Sequence, residues 1–349
     1  ACLYKTVRHF ADQKIAWIAY GFYFILGGLS AWIMIPYSDS TGIIFPVFLF
    51  WLYVKLKETE SAKKKCVLLF LMFFLCYIGF EIKPMAAIVM IAVAAVEGIH
   101  FIGKLLKKQI VWKKSVLACC LSAVLGIGAA AGGVSAVVGS LHFPVVTDTV
   151  LGWQHHMMLG LNKDTNGGYS QADFDYSTSF SSAEEQHAAE LKEIGKRLKD
   201  FGVGGYLQHF VKKSARNYFD GCFGWGGLGE TFYTEIFPER GTVLCSLIRS
   251  LYYDNTEDTL YRYPALFRQI LWYMVLVLVP FSVFTKRPLD KKRQVAVLSV
   301  LGLMLYLQIF EAHARYLYTF VPIFVFLATE GIDNLREYLN QKSERRVKK

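Results

Sequence analysis

Apolar residues fall along this chain in long unbroken blocks, not at the two-residue spacing of strands or in the single stripe of a surface helix. The blocks lie near 15–36, 41–56, 66–82, 84–103, 115–140, 268–285, 294–310 and 315–333. A helix needs about 20 such residues to cross the ~30 Å hydrocarbon layer of a bilayer. The pattern therefore predicts an all-α, polytopic transmembrane bundle of about eight spans. One long polar stretch interrupts it and divides the chain into a transmembrane region over 1–140, an extracytoplasmic loop domain with helical character over 141–267, a second transmembrane region over 268–335, and a basic tail over 336–349.

Charge in the connections sets an orientation. Lys55, Lys57, Lys63, Lys64 and Lys65 fill one loop, and Lys104, Lys107, Lys108, Lys113 and Lys114 fill another. Lys286, Arg287, Lys291, Lys292 and Arg293 fill a third, and the tail carries Arg336, Lys342, Arg345, Arg346, Lys348 and Lys349. Short Lys/Arg-rich loops stay in the cytoplasm. Both termini are then expected inside, with Tyr37–Ser40, Glu81–Pro84, 141–267 and Glu311–Arg315 outside.

Composition agrees, since 54% of the 349 residues are hydrophobic and 19% charged, against about 45–50% and 25% in soluble domains. The formal net charge of +10 is read as a topology signal, so the expected partner is the lipid bilayer and not nucleic acid. The chain has seven cysteines. Only Cys222 and Cys245 lie in the polar stretch, where a disulfide is conceivable but is not established by spacing.

Within that stretch, Trp153-Gln154-His155-His156 precedes a turn-rich run from Asn162 to Tyr169. Ser182 and Glu185 form a capping box, and Leu191, Ile194, Leu198 and Phe201 recur at helical spacing until Gly202. A second helix is expected from Tyr206 to Phe219, with Lys212, Lys213 and Arg216 either along lipid headgroups or on a solvated face. The glycine- and aromatic-rich run Gly221–Glu230 suits either ring contact with a sugar or lipid through Trp225, or a loop folded over the embedded helices.

Ionisable residues at the edge of hydrocarbon are costly and mark candidate sites. Asp39, in a short outer hairpin, can serve as a base, a metal ligand or the anchor of an Asx turn. Glu81 and Lys83 precede the helix-breaking Pro84, where Lys83 can neutralise a phosphate or pair with Glu81. Glu311 and Arg315 stand four apart with His313 between them, and Arg315 and Tyr316 open the last span. They form either a structural ion pair or, through the planar guanidinium, a phosphate grip. HExxH, GxSxG, P-loop and Cys/His metal spacings do not occur. No cofactor is expected, and a divalent metal has no motif to support it.

Tyr37-Ser38-Asp39-Ser40, Glu81-Ile82-Lys83-Pro84, Asn162–Tyr169 and Glu311–Tyr316 together resemble Gram-positive membrane proteins grouped with family 39 glycosyltransferases of the GT-C superfamily. The resemblance covers most of the chain through short motifs. It implies a bacterial plasma membrane, a polyprenyl-phosphate-linked sugar donor, an acceptor on the extracytoplasmic face, and a carboxylate base in the first outer loop of the complete enzyme. Here the first outer loop is tiny, and no initiator Met precedes it, so N-terminal spans are expected ahead of residue 1. On that resemblance Lys83 and Arg315 hold the lipid phosphate and Asp39, the candidate catalytic residue, orients the sugar or acceptor. Glu81, Glu311, His313, Tyr316 and Trp225 complete the substrate-binding set. Two rival readings share the topology: a transporter or lipid flippase, and a noncatalytic subunit of a cell-envelope polymer system.

Overall fold

The computed structural model describes residues 1–109, 114–141, 151–229, 242–253, 260–284 and 289–347. Lys113, Lys286, Arg287, Glu230, Lys348 and Lys349 of the sequence reading lie outside these. Every regular element among the described residues is helical, as the block pattern requires. Among the described residues, six helical stretches are long and apolar enough to span a membrane: Ser38–Glu58, Ala62–Ile82, Pro84–Leu106, Val116–Ser140, Arg262–Ser282 and Lys291–Ile309.

The two remaining expected spans also run the length of the bundle, but in pieces. The first consists of a helix Gln13–Tyr23, a π-helical turn Phe24–Gly28 and a 3-10 turn Ala31–Met34. The last begins with a single turn Arg315–Tyr318 and resumes as a helix Val321–Val347. The last helix runs on to Val347, into the basic tail, and the sixth span starts at Arg262, within the stretch assigned to the outer domain.

Side-chain pairs fix which ends lie together. At one end Glu97 bonds Lys57 at 3.0 Å and Lys291 at 2.8 Å, Arg293 pairs with Glu330, and Arg336 pairs with Asp12 at 2.7 Å. The Lys-rich connections thus gather at a single basic end, as an alternating topology demands. At the opposite end lie Trp32, Tyr37, Asp39, Lys83 and Arg315.

The core follows the last helix. Val321, Ile323, Phe324, Val325, Phe326 and Leu327 are buried all round, the signature of a helix enclosed by others. Ala62–Ile82 and Val116–Ser140, by contrast, expose most of their apolar surface and pack on each other. Such exposure suits contact with lipid and not with water.

Candidate functional site

Local chain chemistry turns three separate hairpins onto one point. Proline steers its predecessor away from the helical region, and Lys83 is accordingly extended (φ −151°, ψ 104°) between Ala62–Ile82 and the Pro84–Ala87 turn. That break directs its side chain inward. Asp39 lies in the first turn of the short helix Ser38–Gly42, held where the Ser40 hydroxyl caps the Trp32 carbonyl at 2.5 Å and the Thr319 hydroxyl reaches the Asp39 carbonyl at 3.5 Å. The helix Lys291–Ile309 stops before Phe310, which is extended, and the chain reaches Arg315 through a non-helical loop.

The result is a three-membered charge cluster. Asp39 Oδ1 lies 2.8 Å from Lys83 Nζ, and Asp39 Oδ2 lies 2.9 Å from Arg315 Nε. Asp39 is fully enclosed, whereas the side chains of Lys83 and Arg315 remain 13% and 15% exposed. Both contacts are close in distance but poorly angled as hydrogen bonds, so the grip is mainly Coulombic. One buried carboxylate therefore holds two cations whose outer faces stay accessible, a net +1 arrangement.

Aromatic rings wall this pair. Lys83 Nζ sits 4.4 Å from the Tyr316 ring centre, and the Arg315 guanidinium lies 4.5 Å from Tyr37 and 5.7 Å from Trp32. Such cation–π contacts align the cations without neutralising them. Of the two alternatives for the Gly221–Glu230 run, the burial of Trp225 fits the loop folded over the embedded helices. The Trp225 indole N–H donates to the Tyr252 carbonyl at 2.6 Å, and its ring meets Trp32 edge-on at 5.2 Å. It supports Trp32 from behind, because the Gly221–Gly229 run folds into the bundle.

Glu311 does not pair with Arg315, since the helical spacing this required is lost at Phe310. Its carboxylate accepts the Tyr316 hydroxyl at 2.7 Å and lies 3.6 Å from His156 Nδ1. Burial pushes the Glu311 carboxyl up, but the bonds from His156 and Tyr316 outweigh it and hold it below the usual range. His313 accepts the Arg315 backbone N–H at 3.1 Å through Nδ1. Burial, then the Arg315 charge, pushes this imidazole down to about 4, so it is neutral near pH 7. Gly224, at φ +77°, lies against it, and a Cβ there would come within 2.6 Å of His313 Cε1. Glu81 is exposed and bonds Tyr77, not Lys83.

The segment 151–229 clamps this loop. Lys213, expected at headgroups or in water, is fully buried and donates to the carbonyls of Gly160 and Gln308, both at 2.9 Å. Burial pulls its amine down to about 7. Arg216 donates to the Ala312 carbonyl at 3.3 Å, and the Ala312 N–H donates to Gly167 at 2.7 Å. Of the three basic residues of that stretch, Lys212, Lys213 and Arg216, Lys212 alone is exposed. Tyr37, Trp32, His156 and Lys213 thus join or support the site without having been candidates for it. The aromatic residues near Asp39 were a readable signal, whereas Lys213 carried none.

His155 and His156 diverge. His155 bonds Ser177 at 2.7 Å within the outer segment, while His156 reaches Glu311. Among the described residues no cluster of three or more His, Cys, Asp or Glu side chains is placed to hold a metal. Cys222 and Cys245 are both free thiols.

No curated protein and no solved structure matches the chain. A model of conserved hypothetical integral membrane proteins matches residues 4–334, and this range takes in the polar segment 151–229 and the charge cluster. The chain belongs to that family of conserved hypothetical integral membrane proteins.

Proposed function

We propose that this protein is a bacterial plasma-membrane glycosyltransferase that moves a sugar from a polyprenyl-phosphate donor to an acceptor on the extracytoplasmic face. The observation that carries the reading is the pairing of Lys83 and Arg315 on the buried Asp39, at the end of the bundle opposite the basic loops. The tendency of basic loops to remain in the cytoplasm supports a cluster at the outer headgroup level, where a lipid phosphate sits.

In the reaction the bond from the sugar's anomeric carbon to the phosphate oxygen breaks, and its electron pair leaves on the phosphate. Lys83 and Arg315 are fixed charges aimed at that growing negative charge, which is catalysis by preorganised electrostatics. Asp39 is enclosed, so it acts as a positioning residue for the two cations. The acceptor oxygen bonds the anomeric carbon and its proton passes to Glu311, the carboxylate of the site that keeps exposed surface. A flippase would place charges along the translocation path, whereas the ion pairs that join different passes lie at the two ends of this bundle.

The test is transfer of radiolabel from a polyprenyl-phosphate sugar in membranes containing the wild-type, Arg315→Ala or Lys83→Ala protein. Transfer by the wild type that is lost in both folded variants supports the reading. Equal transfer by all three refutes it.

A further inference from the structure

The segment 151–229 carries a concave site that the reaction above leaves unused. Gly202 (φ +56°, ψ −176°) bends the helix Ala183–Tyr218 into two limbs, a backbone conformation open essentially to glycine alone. The limbs and the turn that follows Gly160 enclose a cavity of about 350 Å³, at the small end of the ~300–1,000 Å³ range of ligand pockets. We propose that this cleft is a binding subsite for a neutral saccharide, the acceptor of the proposed transfer. The proposal rests on that reading and names its acceptor class.

Three observations carry it. First, the lining cations Lys163, Arg197 and Lys212 are matched by Asp164, Glu193 and Asp200. A cleft for an anionic polymer would carry an excess of cations, whereas balanced charge with many donors and acceptors suits a polyhydroxylated, uncharged ligand. Second, the polar groups are held rigid. Arg197 donates to Asp173 at 2.7 and 2.9 Å, to Glu193 at 2.9 Å and to the Met158 carbonyl at 2.8 Å. Asn162 donates to Asp173 at 2.9 Å, and the buried His209 contacts the Gly160 carbonyl at 2.9 Å. Preorganised planar groups lose little entropy on binding. Third, the Phe201 ring, braced by His209 at 4.7 Å, lies in the wall, and an aromatic face suits the apolar C–H face of a pyranose.

The position also fits an acceptor. Gly167, in the same turn as the lining residues Asn162 and Asn166, accepts the Ala312 N–H, and Ala312 lies between Glu311 and His313. A saccharide seated in the cleft is therefore one short loop away from the charge cluster.

The test uses the full chain in lipid nanodiscs, titrated calorimetrically with maltotriose, cellotriose and chitotriose, and with inorganic phosphate as the anionic probe. Binding of at least one trisaccharide is expected, weakened about tenfold or more by Phe201→Ala and by the exposed-site variants Gln208→Ala and Asp164→Ala, and unchanged by Arg315→Ala. The proposal is overturned if no trisaccharide binds, if phosphate alone binds in the cleft, or if none of the three cleft variants weakens binding. Saccharide binding without any sugar transfer would leave the subsite standing and remove the transferase, while transfer indifferent to the cleft variants would do the reverse.

Discussion

Replacing Asp39 by Asn keeps the shape of the side chain and removes its charge, which leaves Lys83 and Arg315 facing each other without a counter-ion. The structure sets the scale. Asp39 is 0% exposed and lies 2.8 and 2.9 Å from two cations that are themselves largely buried. Removing one partner of such a buried pair costs about 3–5 kcal/mol, because the remaining charge is stranded in a poorly solvating environment. Thermal unfolding of the detergent-solubilised protein should show Asp39→Asn lowered by on the order of 10 °C. Replacing all three residues together, as Asp39→Asn, Lys83→Met and Arg315→Met, should recover most of that loss, since a neutral set strands no charge. Inorganic phosphate should also stabilise Asp39→Asn more than the wild type. A single Asp39→Asn variant as stable as wild type, with no recovery in the triple variant, would refute the idea that the three residues act as one unit.

Gly224→Ala meets both a positive φ of +77° and a 2.6 Å approach to His313 Cε1. It should destabilise by about 2 kcal/mol or more in the same melting assay. Lys213→Met strands the Gln308 carbonyl, at about 1–3 kcal/mol, and leaves the Gly160 carbonyl with His209 alone, and limited proteolysis should then cut residues 151–229 faster than in wild type. His313 is held at about 4 against an ordinary 6.5, so the unfolded chain takes up a proton that the folded one refuses. Its contribution is complete above pH 6.5, is lost as pH falls toward 4, and has a ceiling of about 3 kcal/mol. A His313→Gln variant should lose part of the stability difference between pH 7 and pH 5, and an identical pH profile would contradict this.

Much of the architecture was legible because the bilayer imposes a simple grammar of apolar length and loop charge. The basic loops that the sequence assigns to one side do converge, through Glu97, Glu330 and Asp12, on one end of the bundle. The first and last passes were legible in extent but not in form. The π turn at Phe24–Gly28 and the break before Val321 depend on tertiary packing that hydropathy does not encode. The hairpin residues Asp39, Lys83 and Arg315 stood out because charge at the hydrocarbon edge is costly, yet their mutual pairing was hidden, since 44 and 276 positions separate Asp39 from its partners. Local spacing instead suggested Glu81 for Lys83 and Glu311 for Arg315, and both inferences fail where the chain leaves the helix. Lys213 was illegible for a related reason. It follows the exposed Lys212 directly in the same basic run, and only the carbonyls of two distant segments mark it as the buried one.

The most direct measurement is binding of a short-chain polyprenyl phosphate, compared with the corresponding polyprenol, to the purified protein and to Arg315→Ala and Lys83→Ala. If the cluster grips a lipid phosphate, the wild type prefers the phosphate, and each substitution weakens phosphate binding by about 10–100-fold, the worth of a lost charge-assisted contact, while binding of the alcohol is unchanged. Equal affinity of the wild type for phosphate and alcohol, or phosphate binding untouched by either substitution, would contradict the account.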